Sequence, residues 1–315
     1  MSFDLITMGR VGVDLYPEQI GVPLAEVRTF AKSLGGTATN VAVAAARLGA
    51  DAAVITKVGD DPFGAYVRRA LEGFGVDTRY VSTHPSLRTP IVFCEIFPPD
   101  DFPLLFYREP KAPDMELAAQ DLDLDAIRAA RIFWVTGTGL SDEPSRSATL
   151  AALEARGRVG ITVLDLDFRP MFWRSREDAR AAVQEALPYV TVAVGNQDEC
   201  ETAVGVREPR AAAAALRERG VELAIVKQGP RGVLAVDGET SVEVPPVPVD
   251  VVNGLGAGDA FGGALCHGLL RGWDVERTMR FCNAAGALVA SRLTCADAMP
   301  SEDEVDAMLG QAVDA

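Results

Sequence analysis

From residue 123 onward, short apolar runs alternate with amphipathic stretches, and this alternation constrains the fold more than any other feature of the chain. It predicts helix 123–130 then strand 131–136, helix 144–156 then strand 160–165, and helix 176–187 then strand 190–194. Helices 197–204 and 208–219 follow, then strand 222–227 and two short strands, 232–236 and 240–244, joined through Asp-Gly, a hairpin signal. Three helices close the chain, at 257–271, 275–292 and 302–312. Strands separated by helices pair in parallel, and a parallel sheet needs helices on both faces. The expected fold class is therefore α/β, with a doubly wound, mostly parallel sheet.

The N-terminal part departs from this rhythm. Strand 4–8, helix 40–48, strand 52–58 and helix 62–74 fit it, the last with Pro62 at its start and Gly75 near its end. Residues 13–34 read as irregular, with one possible strand around 27–32. The runs 90–98 and 104–108 flank a Pro- and Asp-rich turn and predict a hairpin outside the parallel sheet. No internal repeat, low-complexity linker or composition break divides the 315 residues. One domain, 1–315, is expected, with a small β-rich lid built from segments 12–34 and 88–112.

Charge and composition exclude several functions. A net charge of −15 argues against nucleic acid and anionic membranes, which call for basic patches. Two histidines, His84 and His267, cannot build a multi-histidine metal site. The five cysteines include no C-x-x-C pair, and their odd number suits a reducing cytoplasm. The first ten residues lack a basic segment before an apolar one, so no signal peptide is expected, and no apolar run is long enough for a membrane helix. A chain this acidic repels anions at long range, so any anion site must be built from local groups.

Two glycine-rich segments offer such groups. Asn253-Gly-Leu-Gly-Ala-Gly-Asp259 leads into a helix, where exposed backbone N–H groups and the helix dipole favour an anion. Asp259 beside them could accept a proton from a nucleophile, although a tight turn with a capping Asp has the same local pattern. Gly35-Gly36 allows close backbone approach, and Asn40, expected to begin the next helix, carries both a donor and an acceptor. Gly59-Asp-Asp-Pro-Phe-Gly64 reads as a structural turn. The chain holds no Gly-Lys dipeptide, which closes the P-loop route to phosphoryl transfer.

In order and spacing, the double glycine with Asn40, the GDDPFG segment and the GAGDAF segment resemble the ribokinase-like (PfkB-type) carbohydrate kinases over essentially the whole chain. The resemblance implies a sheet of about nine strands with a β lid, ATP, Mg²⁺, a possible monovalent cation, and γ-phosphoryl transfer to a sugar hydroxyl. It gives Asp259 the role of catalytic base and the amides of Gly256, Ala257 and Gly258 that of anion hole. Asp14, Gly36 and Asn40 would hold the sugar. Asn196 and Glu199 would organise the magnesium–phosphate region, Glu199 through water, although they also spell a helix capping box. Lys227 and Gly229 would lie near the nucleotide, and Asn283 at the adenine edge. Asn253 and Gly254 replace the usual Asp-Thr, which puts the monovalent cation in doubt.

The substrate reading rests on two cations. Tyr107-Arg108 ends the second lid strand, and Asp165-Leu-Asp167-Phe-Arg169 follows a central strand. Members of the family acting on sugar acids carry Arg at these places, and Arg108 and Arg169 would grip a carboxylate bidentately. Pairing of Arg169 with Asp165 or Asp167 is the competing reading. The segments GRVGVDLYP, TGTGLSDEPSR, LDLDFRPMFW and CADAMPS are similar to the 5-dehydro-2-deoxygluconokinases of inositol catabolism, with 2-keto-3-deoxygluconate kinase as rival and ribokinase or fructokinase types below it. A non-catalytic sugar or nucleotide sensor is the alternative of another class. A homodimer through the lid is expected, because unpaired strand edges invite pairing.

Overall fold

A computed structural model describes residues 2–313. Nine strands form the main sheet: β1 (Leu5–Met8), β4 (Ala52–Gly59), β5 (Val81–His84), β8 (Ile132–Thr136), β9 (Ile161–Asp165), β10 (Val192–Asn196), β11 (Leu223–Lys227), β12 (Val233–Asp237) and β13 (Thr240–Val244). Their order is β13-β12-β11-β10-β9-β8-β1-β4-β5. Pairing is parallel from β11 to β5 and antiparallel across β12 and β13. The expected doubly wound α/β sheet is present. Strand order runs outward from β1 in both directions, β4 on one side and β8 on the other. Ligands of such sheets bind at this switch point, beyond the strand C-termini.

Alternation along each strand sorts side chains to two cores. Leu5, Ile132 and Trp134 face one, with α1 (Thr37–Arg47), α8 (Ala257–Arg271) and α9 (Val275–Ala290). Ile6, Phe133 and Val135 face the other, with α4 (Ser145–Arg156), α5 (Arg176–Ala186), α6 (Gln197–Val204) and α7 (Pro209–Arg217). Small residues in α1 and α8 let these helices approach closely. A Cβ on Gly263 would lie 2.3 Å from that of Ala44, so any side chain there would force the helices apart.

A second sheet, the lid, has the order β3-β2-β6-β7, from β2 (Gly12–Pro17), β3 (Phe30–Gly35), β6 (Ile91–Cys94) and β7 (Leu104–Tyr107). The expected hairpin is β6–β7. Two expectations fail here. Segment 13–34 is not mostly irregular: it supplies β2 and β3, whose pairing with each other and with β6 a single-strand pattern does not reveal. Strand β5 was missed because its four residues, VSTH, form a half-exposed edge with no apolar run. Helix α1 also begins earlier than expected, at Thr37. Gly36 precedes it with φ 102° and lies so close to the Arg10 carbonyl that a Cβ would sit 2.4 Å from it.

Arg156, in the last turn of α4, is buried without an acidic partner. It donates to the carbonyls of Ala130 (3.0 Å), Arg131 (3.2 Å) and Ile161 (3.0 Å), and to Thr162 Oγ1 (3.0 Å), tying α4 to β8 and β9. Burial lowers its pKa to about 10. Arg156→Leu removes these hydrogen bonds, although the Arg131 carbonyl keeps the Ile161 N–H, and should cost about 3 kcal/mol, read by denaturant unfolding. Wild-type stability in the variant would mean that water replaces the guanidinium.

Candidate active site

Asp259 lies in the first turn of α8, after Gly256 at φ 83°. The N–H groups opening this helix have no intrahelical acceptor, which leaves those of Gly256, Ala257 and Gly258 for a ligand. Asn40, one turn into α1, donates from Nδ2 to Asp259 Oδ2 at 2.8 Å. The Cys295 thiol, 3.7 Å away, donates to the same oxygen. Asp259 Oδ1 keeps no protein partner. Burial raises the Asp259 pKa, against the Asn40 hydrogen bond that lowers it. Asn40 Oδ1 is buried with no hydrogen-bond partner among the described residues, an acceptor left open.

These groups face a cleft, open at its mouth, that Asp14, Gly36, Arg108 and Arg169 also line. All sugar-side positions expected from the sequence thus come together between lid and sheet. Asp14, on β2, accepts from Tyr16 Oη at 3.1 Å, and burial pushes its pKa up to about 7. Gly35 makes room for it, since a Cβ there would lie 2.0 Å from Asp14 Oδ1.

Both expected carboxylate-gripping arginines already pair with protein acids. Arg108 pairs with buried Asp114, which also accepts the Val11 N–H at 2.9 Å. Arg169 Nε stands 3.1 Å from Asp167 Oδ1, so the competing reading of an internal pair holds for this nitrogen. Its side chain is still 40% exposed, leaving its other nitrogens accessible. Asp167 is fully committed: Oδ2 accepts from Arg10 Nη2 (3.1 Å), Thr37 Oγ1 (3.0 Å) and Thr138 Oγ1 (2.9 Å). Burial opposes its charge, but Arg10 and Arg169 overcome this and hold its pKa well below the usual carboxylate range. The sequence reading missed Arg10, Thr37, Asp114, Thr138 and Cys295. Only Arg10 left a trace, as a charge inside the apolar run LITMGRVGV.

The other side of α8's N-terminus is cationic. Lys227, ending β11, would have its Nζ 3.3 Å from a Cβ on Gly258. Burial disfavours its charge, yet Asp165, Glu199, Asp259 and Asp167 together raise its pKa. Burial raises the Asp165 pKa, with Lys227 opposing. Asn196 caps α6, and Glu199 returns Oε2 to the Asn196 N–H at 2.6 Å, so the capping box is real. Glu199 retains a second oxygen, and Asp165 lies in the same charge cluster. This donor set fits a Mg²⁺ that is carried mainly by phosphates and water. Gly229, at φ 58°, borders open space. Asn283 spends Nδ2 on the carbonyls of Val244 (3.3 Å) and Pro245 (2.8 Å), leaving only Oδ1 for a ligand.

Asn253, where an Asp was expected from the resemblance, is uncharged and buried; its Nδ2 donates to the Leu293 carbonyl at 2.7 Å and its Oδ1 accepts the Leu255 N–H at 3.0 Å.

The raised Asp14 pKa has a consequence for stability. Between its ordinary pKa near 3.8 and its folded value of about 7, the folded chain holds a proton the unfolded chain has lost, so this group's contribution falls as pH rises through that window. Asp14→Asn should therefore raise Tm at pH 8, on the order of 1–3 °C, and change it little at pH 4. Equal shifts at both pH values would contradict the burial of this carboxylate.

Comparison with known proteins agrees with this geometry. The pfkB family carbohydrate kinase pattern matches residues 2–302. A 5-dehydro-2-deoxygluconokinase of Geobacillus thermodenitrificans (strain NG80-2) is 34% identical over 311 residues, covering 96% of this chain and 92% of its own. One from Listeria monocytogenes serovar 1/2a is 32% identical over 318 residues, covering 99% and 97%. Among solved structures, a proposed ribokinase II from E. coli in complex with ATP and Mg²⁺ superposes with a TM-score of 0.89 at 25% identity, covering 99% and 100%. The chain belongs to the pfkB family of carbohydrate kinases.

Proposed function

We propose that this kinase transfers the γ-phosphoryl group of ATP to the terminal hydroxyl of 5-dehydro-2-deoxy-D-gluconate, a step of inositol catabolism. One observation carries the reading: a single cleft joins a helix N-terminus bearing Asp259 to a wall bearing Arg108 and Arg169. The relatives named 5-dehydro-2-deoxygluconokinase supply the substrate.

Asp259 Oδ1 accepts the proton of the attacking hydroxyl, while Asn40 and Cys295 hold Oδ2. The amides of Gly256, Ala257 and Gly258, with Lys227, stabilise charge developing on the phosphoryl oxygens. Asp14 and Asn40 Oδ1 receive sugar hydroxyls, and the two Nη groups of Arg169, with the Arg108 guanidinium that Asp114 orients through both its Nη atoms, receive the carboxylate. ATP and Mg²⁺ are the partners of the phosphate side, near Asn196, Lys227, Gly229 and Asn283. When bound, Mg²⁺ neutralises phosphate charge, with Glu199 holding it through water.

The lid's outer face favours a homodimer. Phe30, Phe93 and Tyr107 form an edge-to-face row, with centroids 5.4 Å apart in each pair, and Leu105 and Tyr107 are exposed. Burying such a face against a second copy is the expected use of it. No helix among the described residues is long and apolar enough to cross a membrane. A cytoplasmic location matches five buried, unpaired cysteines.

Asp259→Asn should lower kcat by at least about 10³-fold with little change in sugar binding. Near-normal turnover would remove Asp259 from its role. In the wild type, kcat/KM should fall on acidification at a pH above the ordinary carboxylate range, since the base must be ionised and its pKa is raised. An ADP-release screen tests the substrate: 5-dehydro-2-deoxygluconate should exceed 2-keto-3-deoxygluconate, and both should exceed fructose and ribose. Arg169→Ala should cost the acids at least about tenfold more than the neutral sugars. Equal loss on both would refute a carboxylate role, and no turnover of any sugar would favour a sensor.

A further inference from the structure

We infer that Arg10, which neither the sequence reading nor the family resemblance assigns, is a third carboxylate-binding arginine and the one that most strongly selects acidic over neutral sugars. The inference rests on the kinase reading above. Arg10 lies two residues beyond β1, at the switch point of the sheet, and lines the same cleft as Asp259 and Asp14. Its side chain is 7% exposed. Nε donates to Thr138 Oγ1 at 3.0 Å and Nη2 to Thr37 Oγ1 at 2.9 Å and Asp167 Oδ2 at 3.1 Å. Nη1 takes no partner among the described residues.

A charge count separates this role from that of a strut. Arg108 and Asp114 form one neutral pair. Asp167, in contrast, is shared by two guanidinium groups, Arg10 and Arg169. Among the described residues Asp167 is the one acid within ion-pair distance of Arg10, whose guanidinium is buried, and a buried cation that shares its counter-ion is costly unless an anion completes it. A strut would not need that charge, because Asp167 Oδ2 already takes two hydroxyl hydrogen bonds, from Thr37 and Thr138. Of the other acids lining the cleft, Asp14 has its pKa pushed up by burial to about 7, and Asp259 is held by Asn40 and Cys295. Phe172 unites the cluster: the Arg10 and Arg108 guanidinium carbons stand 5.4 Å and 5.3 Å from its ring centroid. Asp167 itself sits at φ 24°, a strained backbone for a residue with a side chain, and such strain concentrates at functional sites. A sugar carboxylate beside Nη1 balances the cluster; a neutral sugar cannot.

The test compares Arg10→Lys and Arg10→Gln with wild type, on 5-dehydro-2-deoxygluconate and on fructose as neutral probe. Expected is a loss in kcat/KM of at least about 30-fold on the acid, mostly in KM, with at most about threefold on fructose. The rise in Tm that the acid produces without ATP is measured in parallel, so the comparison does not depend on turnover of fructose. That rise should be present in wild type and absent in both variants. ATP affinity should be unchanged, which shows the fold intact; if the Gln variant does not fold, the Lys variant decides. Equal losses on acid and fructose, or an undiminished acid-induced Tm rise, would overturn the assignment. If wild type itself fails to prefer the acid, the substrate reading falls instead.

Discussion

A single buried carboxylate holds the sugar side of this kinase together. Asp167 Oδ2 accepts from three segments far apart in sequence: Arg10 after β1, Thr37 at the start of α1, and Thr138 after β8. Its other oxygen faces Arg169. The ends of the two strands that flank the switch point are thereby fixed to the start of α1, whose next turn carries Asn40. Asn40 in turn holds Asp259. The arginine-lined wall and the proposed base, Asp259, are thus linked through short polar contacts, in a region where an unpaired charge would be expensive.

Global charge has little bearing on this arrangement. The chain carries −15, yet three arginines, Arg10, Arg108 and Arg169, line the cleft beside the N-terminus of α8, together with two acids, Asp14 and Asp259. Local groups at a few ångströms dominate over distant surface charge, which salt screens within about 10 Å. The excess of acid does act inside the site: it raises the pKa of Lys227 and, with burial, those of Asp14 and Asp259. A lysine kept charged suits a site that receives polyanions.

Much of the fold was legible because the sheet is parallel. Strands such as Ile132–Thr136 are buried on both faces and read as continuous apolar runs between amphipathic helices. The lid was less legible. Strand β2 gains its identity from lying between β3 and β6, and β6 is a partner distant in sequence: Val13 pairs with Ile91 and Leu15 with Phe93. Likewise Asp259, Asp14, Asn40 and Arg169 were readable because each sits in a glycine-marked or strand-ending motif. Arg10, Thr138 and Asp114 carry no such mark; each has a hydrogen-bond neighbour more than a hundred residues distant in sequence.

By itself, the sequence determined the layer architecture and the glycine-rich helix start that carries Asp259, since these depend on periodicity and on local backbone geometry. Tertiary structure alone decided the charge balance of the sugar wall. It paired Arg108 with Asp114, placed two guanidinium groups on one carboxylate at Asp167, and filled the Leu293 carbonyl with the Asn253 amide. The reason is physical: a charge's effect depends on which opposite charges lie within a few ångströms and how much water remains, and neither distance nor burial is written in residue order.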